Sequence, residues 1–174
     1  HSSIHLRNHP PIPAITRKTD KGLPRYQEGT ESDTFILSGA EDLVPALIYD
    51  KDKETWEPDR DDDRQVGSAT YSVQRYRPRS EGLFARIEKW EHKASGRVFW
   101  TSISKENVTS VYGLSLESQI ANPDDDPDKH PRVFEWLLEA SFDDKGNLIV
   151  YKYKQEDSAL VDLALPQERN RLAE

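Results

Sequence analysis

Apolar residues fall in short runs divided by turn-forming residues, and along most runs they alternate rather than recur at helical spacing. The clearest example spans 132–154. An apolar run from Val133 to Phe142 enters Asp143-Asp144-Lys145-Gly146-Asn147, and a second run, Leu148 to Tyr153, leaves it. Gly146-Asn147 can take the positive φ of a tight reversal, and Asp143 and Asp144 can bond their own backbone on the way in. This predicts a hairpin of 132–142 with 147–154. Between 83 and 90 the pattern is double: Leu83, Ala85 and Ile87 alternate, while Phe84, Ile87 and Trp90 sit at helical spacing. We read it as strand. Ala94-Ser95-Gly96-Arg97 then supplies a turn, and Val98 to Ile103 is β-branched and aromatic, which suits a pleated surface. A second hairpin, 83–92 with 97–103, follows.

Shorter strands are predicted at 34–37, 43–49, 71–76 and 108–112, with Pro45 demoting the second toward an edge or a bulge. Ser115 to Ala121 fits one helical turn or two. His1 to Pro13 carries Pro10, Pro11 and Pro13 and reads as an extended arm. Ile15 to Tyr26 is basic and ends in a Gly22-Leu23-Pro24 turn. Asp50 to Arg64 reads as a charged, solvated loop, and Asn122 to Pro131 as an acidic, Pro-rich one. Asp157 to Glu174 has helix-forming residues broken by Pro166. Short strands at about ten-residue spacing, with turn signals between them, indicate an all-β fold of antiparallel hairpins with long charged loops. The hairpins recur without a strict period.

A chain of 174 residues fits one ordinary domain. With 34% hydrophobic and 32% charged residues the apolar supply is thin, which favours a flat two-layer or open sheet, or part of a larger body. The 4 Trp, 7 Tyr and 5 Phe argue against disorder. A net charge of -8 argues against nucleic acid as a partner, because phosphates would be repelled. No stretch approaches the ~20 apolar residues of a membrane helix. No charged-then-apolar signal segment opens the sequence. Absent Cys excludes disulfides and thiolate chemistry. Absent Met suggests a processed, trimmed or fragmentary chain.

Candidate chemistry is sparse. His1, His5 and His9 are four apart, as metal ligands on one helix face would be, but Pro10 and Pro11 disfavour a helix there. His92 and His130 stand alone in predicted turns. Asp59 to Arg64 and Asp124 to Asp128 are acid-rich but lack the spacing, central Gly and closing Glu of an EF-hand. No Gly-x-Ser-x-Gly elbow or phosphate-cradling glycine loop occurs. Transfer of ADP-ribose to protein needs a Glu-x-Glu pair; no two Glu here are two apart, and Arg79-Ser80-Glu81 is a superficial echo of such a site. Trp90, Trp100, Trp136, Tyr151 and Tyr153 could form a sugar-binding platform, or the cross-strand pairs and core more usual in a hairpin array.

The aromatic-Asp-x-x-Gly-Asn-x wording at Phe142 to Leu148 resembles a YD repeat, a hairpin unit that stacks into large β shells. Further blocks agree: Ile15 to Tyr26, with RKTDKGLPRY; Phe35 to Pro45, with LSGAEDLVP; Tyr76 to Ile87; Tyr151 to Ser158; and Glu168 to Arg171. Together they resemble the amino-terminal domain of SpvB-type proteins, the Salmonella virulence plasmid B family, shared with the B component of Tc insecticidal toxin complexes. The resemblance covers about 12–171, leaving 1–11 as an unmatched arm and 172–174 as a cut end. It implies a non-catalytic piece of shell wall, not propeller, enclosing a toxic polypeptide. The partners implied are the rest of the B component, the C component and the pore-forming A component. The place implied is a secreted toxin complex, made in the bacterial cytoplasm. In the Salmonella protein a separate carboxy-terminal domain ADP-ribosylates actin, and that domain is not in this chain. On this basis the chain is expected not to be an enzyme, with no catalytic, cofactor-binding or metal residues and no cofactor. The alternative is a carbohydrate- or protein-binding β module acting through exposed aromatics.

Overall fold

A computed structural model describes residues 12–18, 34–38, 41–79 and 84–153. The expected features at 1–11, at Gly22-Leu23-Pro24, at Ser80-Glu81 and beyond Tyr153 lie outside the described residues.

Among the described residues thirteen strands succeed one another: β1 (Ala14–Arg17), β2 (Phe35–Leu37), β3 (Glu41–Pro45), β4 (Leu47–Asp50), β5 (Thr55–Pro58), β6 (Arg60–Val66) and β7 (Ala69–Pro78). Then come β8 (Phe84–His92), β9 (Val98–Ser104), β10 (Thr109–Tyr112), β11 (Gln119–Ala121), β12 (Val133–Phe142) and β13 (Leu148–Val150). Every pairing among them is antiparallel. Within an 11-stranded sheet the order runs β1-β2-β3-β7-β8-β9-β10-β12, and β1 returns to β12 through Ile15↔Trp136. The sheet is therefore closed, a barrel where composition favoured a flat, two-layer or open structure, or part of a larger body. Large side chains explain the difference. Trp100, Trp136, Phe35, Tyr76 and Tyr112 fill the interior together with Ile15, Leu43 and Ile87. A ring of eight strands is about the size whose interior side chains alone can fill. Ile15 starts no open edge, because β1 is paired on both sides.

Both predicted hairpins are present, β8 with β9 and β12 with β13. The second is shorter than expected: β13 covers only Ala140 to Phe142 of β12. The rest of that strand forks to other partners. On one side β10 pairs with Leu138–Phe142 and β11 with 133–136; on the other β1 takes 135–137. β7 forks likewise, holding β3 at 76–78 and β6 at 69–74 on one side, with β8 on the other.

The charged segment 50–64 is not the loop its composition suggested. Pro45 ends β3, and the chain leaves the ladder at Ala46 and rejoins it at Asp59, both hydrogen-bonded to Arg75. Between them β4 and β5 form a separate two-stranded ribbon. Then β6 lies along β7 as an edge strand whose acids are paired within it and beyond it, Asp63 with Lys93 at 2.9 Å. Asp61 accepts from Arg64 at 2.9 Å, and Asp62 accepts from Ser72 at 2.7 Å and from Arg60. The segment predicted as one or two helical turns is a single 3-10 turn, Leu116–Ser118, followed by β11. Glu139 of β12 anchors it, accepting from Ser115 N–H and Ser118 Oγ at 2.9 Å each.

Candidate functional site

Side chains alternate across a strand, so the residues beside the buried Ile87, Val98 and Trp100 point away from the interior. Cross-strand partners share a face: Tyr71 opposes His92, Val73 opposes Trp90, and Trp90 opposes Phe99. Four rings thus meet on the outside of the barrel. Trp90 stacks on Phe99 at 5.6 Å, and Tyr71 meets Trp90, Phe99 and His92 edge-on or tilted at 5.6, 5.9 and 5.3 Å. The Arg64 guanidinium lies 5.5 Å over the Trp90 ring. Val73 is buried on this face.

Beside the cluster is a cleft of about 270 Å³, walled by Tyr71, His92 and Phe99 and rimmed by Arg97, Gln119 and Asp128. The turn after β8 shapes one end. Ser95 N–H donates to His92 Nδ1 at 3.3 Å, and Ser95 Oγ lies 2.8 Å from the same nitrogen. In the neutral ring the proton then sits on Nε2, which has no partner among the described residues. Gln119 commits both amide hydrogens, to the carbonyls of Val98 (3.1 Å) and Gly113 (2.7 Å), which leaves Oε1 as an acceptor. Arg97 makes one long bond to Leu114 O, 3.5 Å, and one long ion pair with Asp128, 3.9 Å. Most of its five donors are unused among the described residues.

The platform expected from Trp90, Trp100, Trp136, Tyr151 and Tyr153 is not assembled. Trp100 and Trp136 are both 0% exposed inside the barrel, and Tyr151 packs against that core. Tyr153 donates to Leu138 O at 2.6 Å, and burial pushes its phenol up to about 12. Trp90 alone of the five joins the outer cluster. Tyr71, Phe99, Arg97 and Gln119 were not singled out from the sequence. The signal was there in part: Phe99 precedes Trp100 in an alternating strand, so one must face outward. Several acids of the two predicted loops face cations: Asp125 accepts from the Arg132 side chain at 2.7 Å, which holds its carboxyl below the usual range. No group of three metal-binding residues occurs among the described residues. Among the described residues three charged side chains are buried. Arg17 donates to Val133 O at 2.7 Å and stacks over Phe35 and Trp136, Lys89 Nζ lies 5.5 Å from the Phe35 ring, and Glu88 faces Arg86 at 3.9 Å.

The profile of the family described as Salmonella virulence plasmid 65kDa B protein, SpvB, matches residues 8–174. The chain belongs to the SpvB family. A curated SpvB relative from Salmonella typhimurium is 29% identical over 154 residues, 86% of this chain and 24% of its own length. The N-terminal domain of effector protein SpvB from Salmonella typhimurium strain LT2 superposes with a TM-score of 0.71 at 26% identity, covering 90% of this chain and 46% of that one. TcdB2-TccC3-Cdc42 matches at TM-score 0.67 and 33% identity, over 86% of this chain and 6% of its own. The Photorhabdus luminescens Tc holotoxin pore matches at 0.66 and 34%, over 84% and 6%. This SpvB-family chain therefore spans about a quarter of the curated relatives it matches, and its structural neighbours include Tc toxin components.

The expectation of a non-enzyme is corrected by these relatives. Their name is mono(ADP-ribosyl)transferase SpvB, so the chain matches part of proteins named as enzymes. The matched stretch is 24% of each. No helix among the described residues is long and apolar enough to cross a membrane.

Proposed function

We propose that this SpvB-family chain forms part of the wall of a toxin-complex β shell that encloses a toxic polypeptide. Its partners are the remainder of a B component, the C component and a pore-forming A component, in a secreted assembly. The observation that carries the reading is the likeness to TcdB2-TccC3-Cdc42, at 33% identity over 86% of the chain. The architecture is compatible with a wall element. The closed ring is packed solid with aromatic side chains, so cargo would lie against its outer surface, not within it.

The test is replacement. A B component of the Photorhabdus type, with its matched stretch exchanged for this chain, is assembled with its C component and treated with protease. The cargo polypeptide should stay intact under conditions that digest the free polypeptide. Failure to assemble, or digestion at the rate of the free polypeptide, overturns the proposal.

A further inference from the structure

We infer that the outer cleft between Phe99 and the Arg97–Asp128 rim binds a neutral polyhydroxylated ring, a single sugar unit. The inference goes beyond the shell reading and does not depend on it.

Three features select this ligand class. The first is the wall. Tyr71 and Phe99 present aromatic surface to the cleft, and Phe99 is backed by Trp90 at 5.6 Å, so the ring is held in place before any ligand arrives. Aromatic rings of this kind pack against the C–H face of a sugar. The second is the mixture of polar groups. Arg97 and His92 Nε2 donate, Gln119 Oε1 and the Asp128 carboxylate accept, and the Tyr71 hydroxyl can do both. Hydroxyl groups, which each donate and accept, match such a mixture, whereas a carboxylate or phosphate does not. The third is charge. Asp128 stands 3.9 Å from Arg97, so the rim carries one charge of each sign and offers an anion little net attraction. At that separation the pair is loose enough for two neighbouring hydroxyls to bridge it. A volume of about 270 Å³ is below the ~300–1,000 Å³ of sites for drug-sized ligands, which suits one ring rather than a chain of them.

The experiment is an amide-detected NMR titration of the whole 174-residue chain with glucose, galactose, N-acetylglucosamine and, separately, inorganic phosphate. At least one sugar should shift the amides of 95–99 and 113–119 and the Trp90 indole, saturating with a dissociation constant on the order of 1–10 mM, as befits about a dozen heavy atoms. Arg97→Ala and Phe99→Leu should each weaken that binding about tenfold or more. Asp128→Asn, in an exposed loop, should do the same with no change in melting temperature, which separates loss of contacts from loss of fold. The inference is overturned if no sugar produces saturating shifts. Saturation by phosphate alone overturns it in favour of an anion site. Sugar shifts that persist unchanged in Asp128→Asn and Arg97→Ala overturn it too. A chain that binds sugar but fails the shell replacement would leave this inference standing and remove the other.

Discussion

Trp100 and Trp136 lie side by side in the barrel, ring centroids 5.9 Å apart, and neither has exposed surface. Their polar atoms differ. Trp136 Nε1 donates to Val98 O at 2.9 Å, while Trp100 Nε1 is buried without a partner among the described residues. Replacing either by Phe removes similar apolar area. In Trp136→Phe a hydrogen bond worth about 1 kcal/mol is lost, and in Trp100→Phe an unpaired donor costing about 1–3 kcal/mol is removed. The two effects point the same way, so Trp136→Phe should be less stable than Trp100→Phe by roughly 2 kcal/mol in urea unfolding. A second residue-scale expectation concerns Tyr153. Burial is the main cause that lifts its phenol from the ordinary 10.0 to about 12. A raised folded value favours the protonated form. The stabilising contribution is therefore complete below pH 10 and disappears as pH rises toward about 12. Absorbance titration of tyrosinate should show a late phenol that Tyr153→Phe removes, and alkaline unfolding of that variant should depend less on pH within this window.

At the scale of elements, two glycines at positive φ separate turn geometry from packing. Gly146, φ +87, has open space around it, and Asp143 closes its turn by accepting from the N–H groups of Lys145 and Asn147 at 2.9 and 3.0 Å. Gly146→Val should cost about 1–2 kcal/mol, backbone strain alone. Gly113, φ +67, instead faces the Trp136 side chain where its own would stand. Gly113→Ala should cost more than Gly146→Val despite the smaller side chain, because a fully buried indole must move. Thermal melts of the two variants give the order directly. The first turn was legible in the sequence because Asp, Gly and Asn act locally there. Gly113 was not, since its neighbour lies 23 residues away, Trp136 against position 113, across the β10–β12 ladder. The ribbon of β4 and β5 was hidden for another reason. Its cross-strand pairs, Leu47 with Pro58 and Tyr49 with Trp56, put an apolar face toward solvent, while Lys53 bridges Asp50 and Glu57, so burial periodicity never arises. Trp56 is 66% exposed, against 0% for Trp100 and Trp136. Iodide should quench its emission selectively, and Trp56→Phe should abolish most of the quenchable signal without shifting the melt.

For the whole molecule, the chain is all-β as its turn spacing predicts, and it closes where composition favoured a flat, two-layer or open sheet, or part of a larger body. Composition reports how many apolar residues there are, not how large they are or whether the ends of a sheet meet. Closure depends on β1 reaching β12, through Ile15↔Trp136 and the bond from Arg17 to Val133 O, 116 residues apart. No local pattern encodes such a meeting. It has a consequence in time. On a ribosome adding ~5–20 residues per second, the first strand waits roughly 6–23 s for its partner to be made. Until then Ile15 and Phe35 lack the indole that will cover them, and hairpins such as β8–β9 can form but not close. Nascent chains arrested with β12 still inside the exit tunnel should therefore be cut readily by protease, and chains released past Phe142 should become resistant together, in one step. Protection that grows gradually with length would mean that the barrel is assembled hairpin by hairpin.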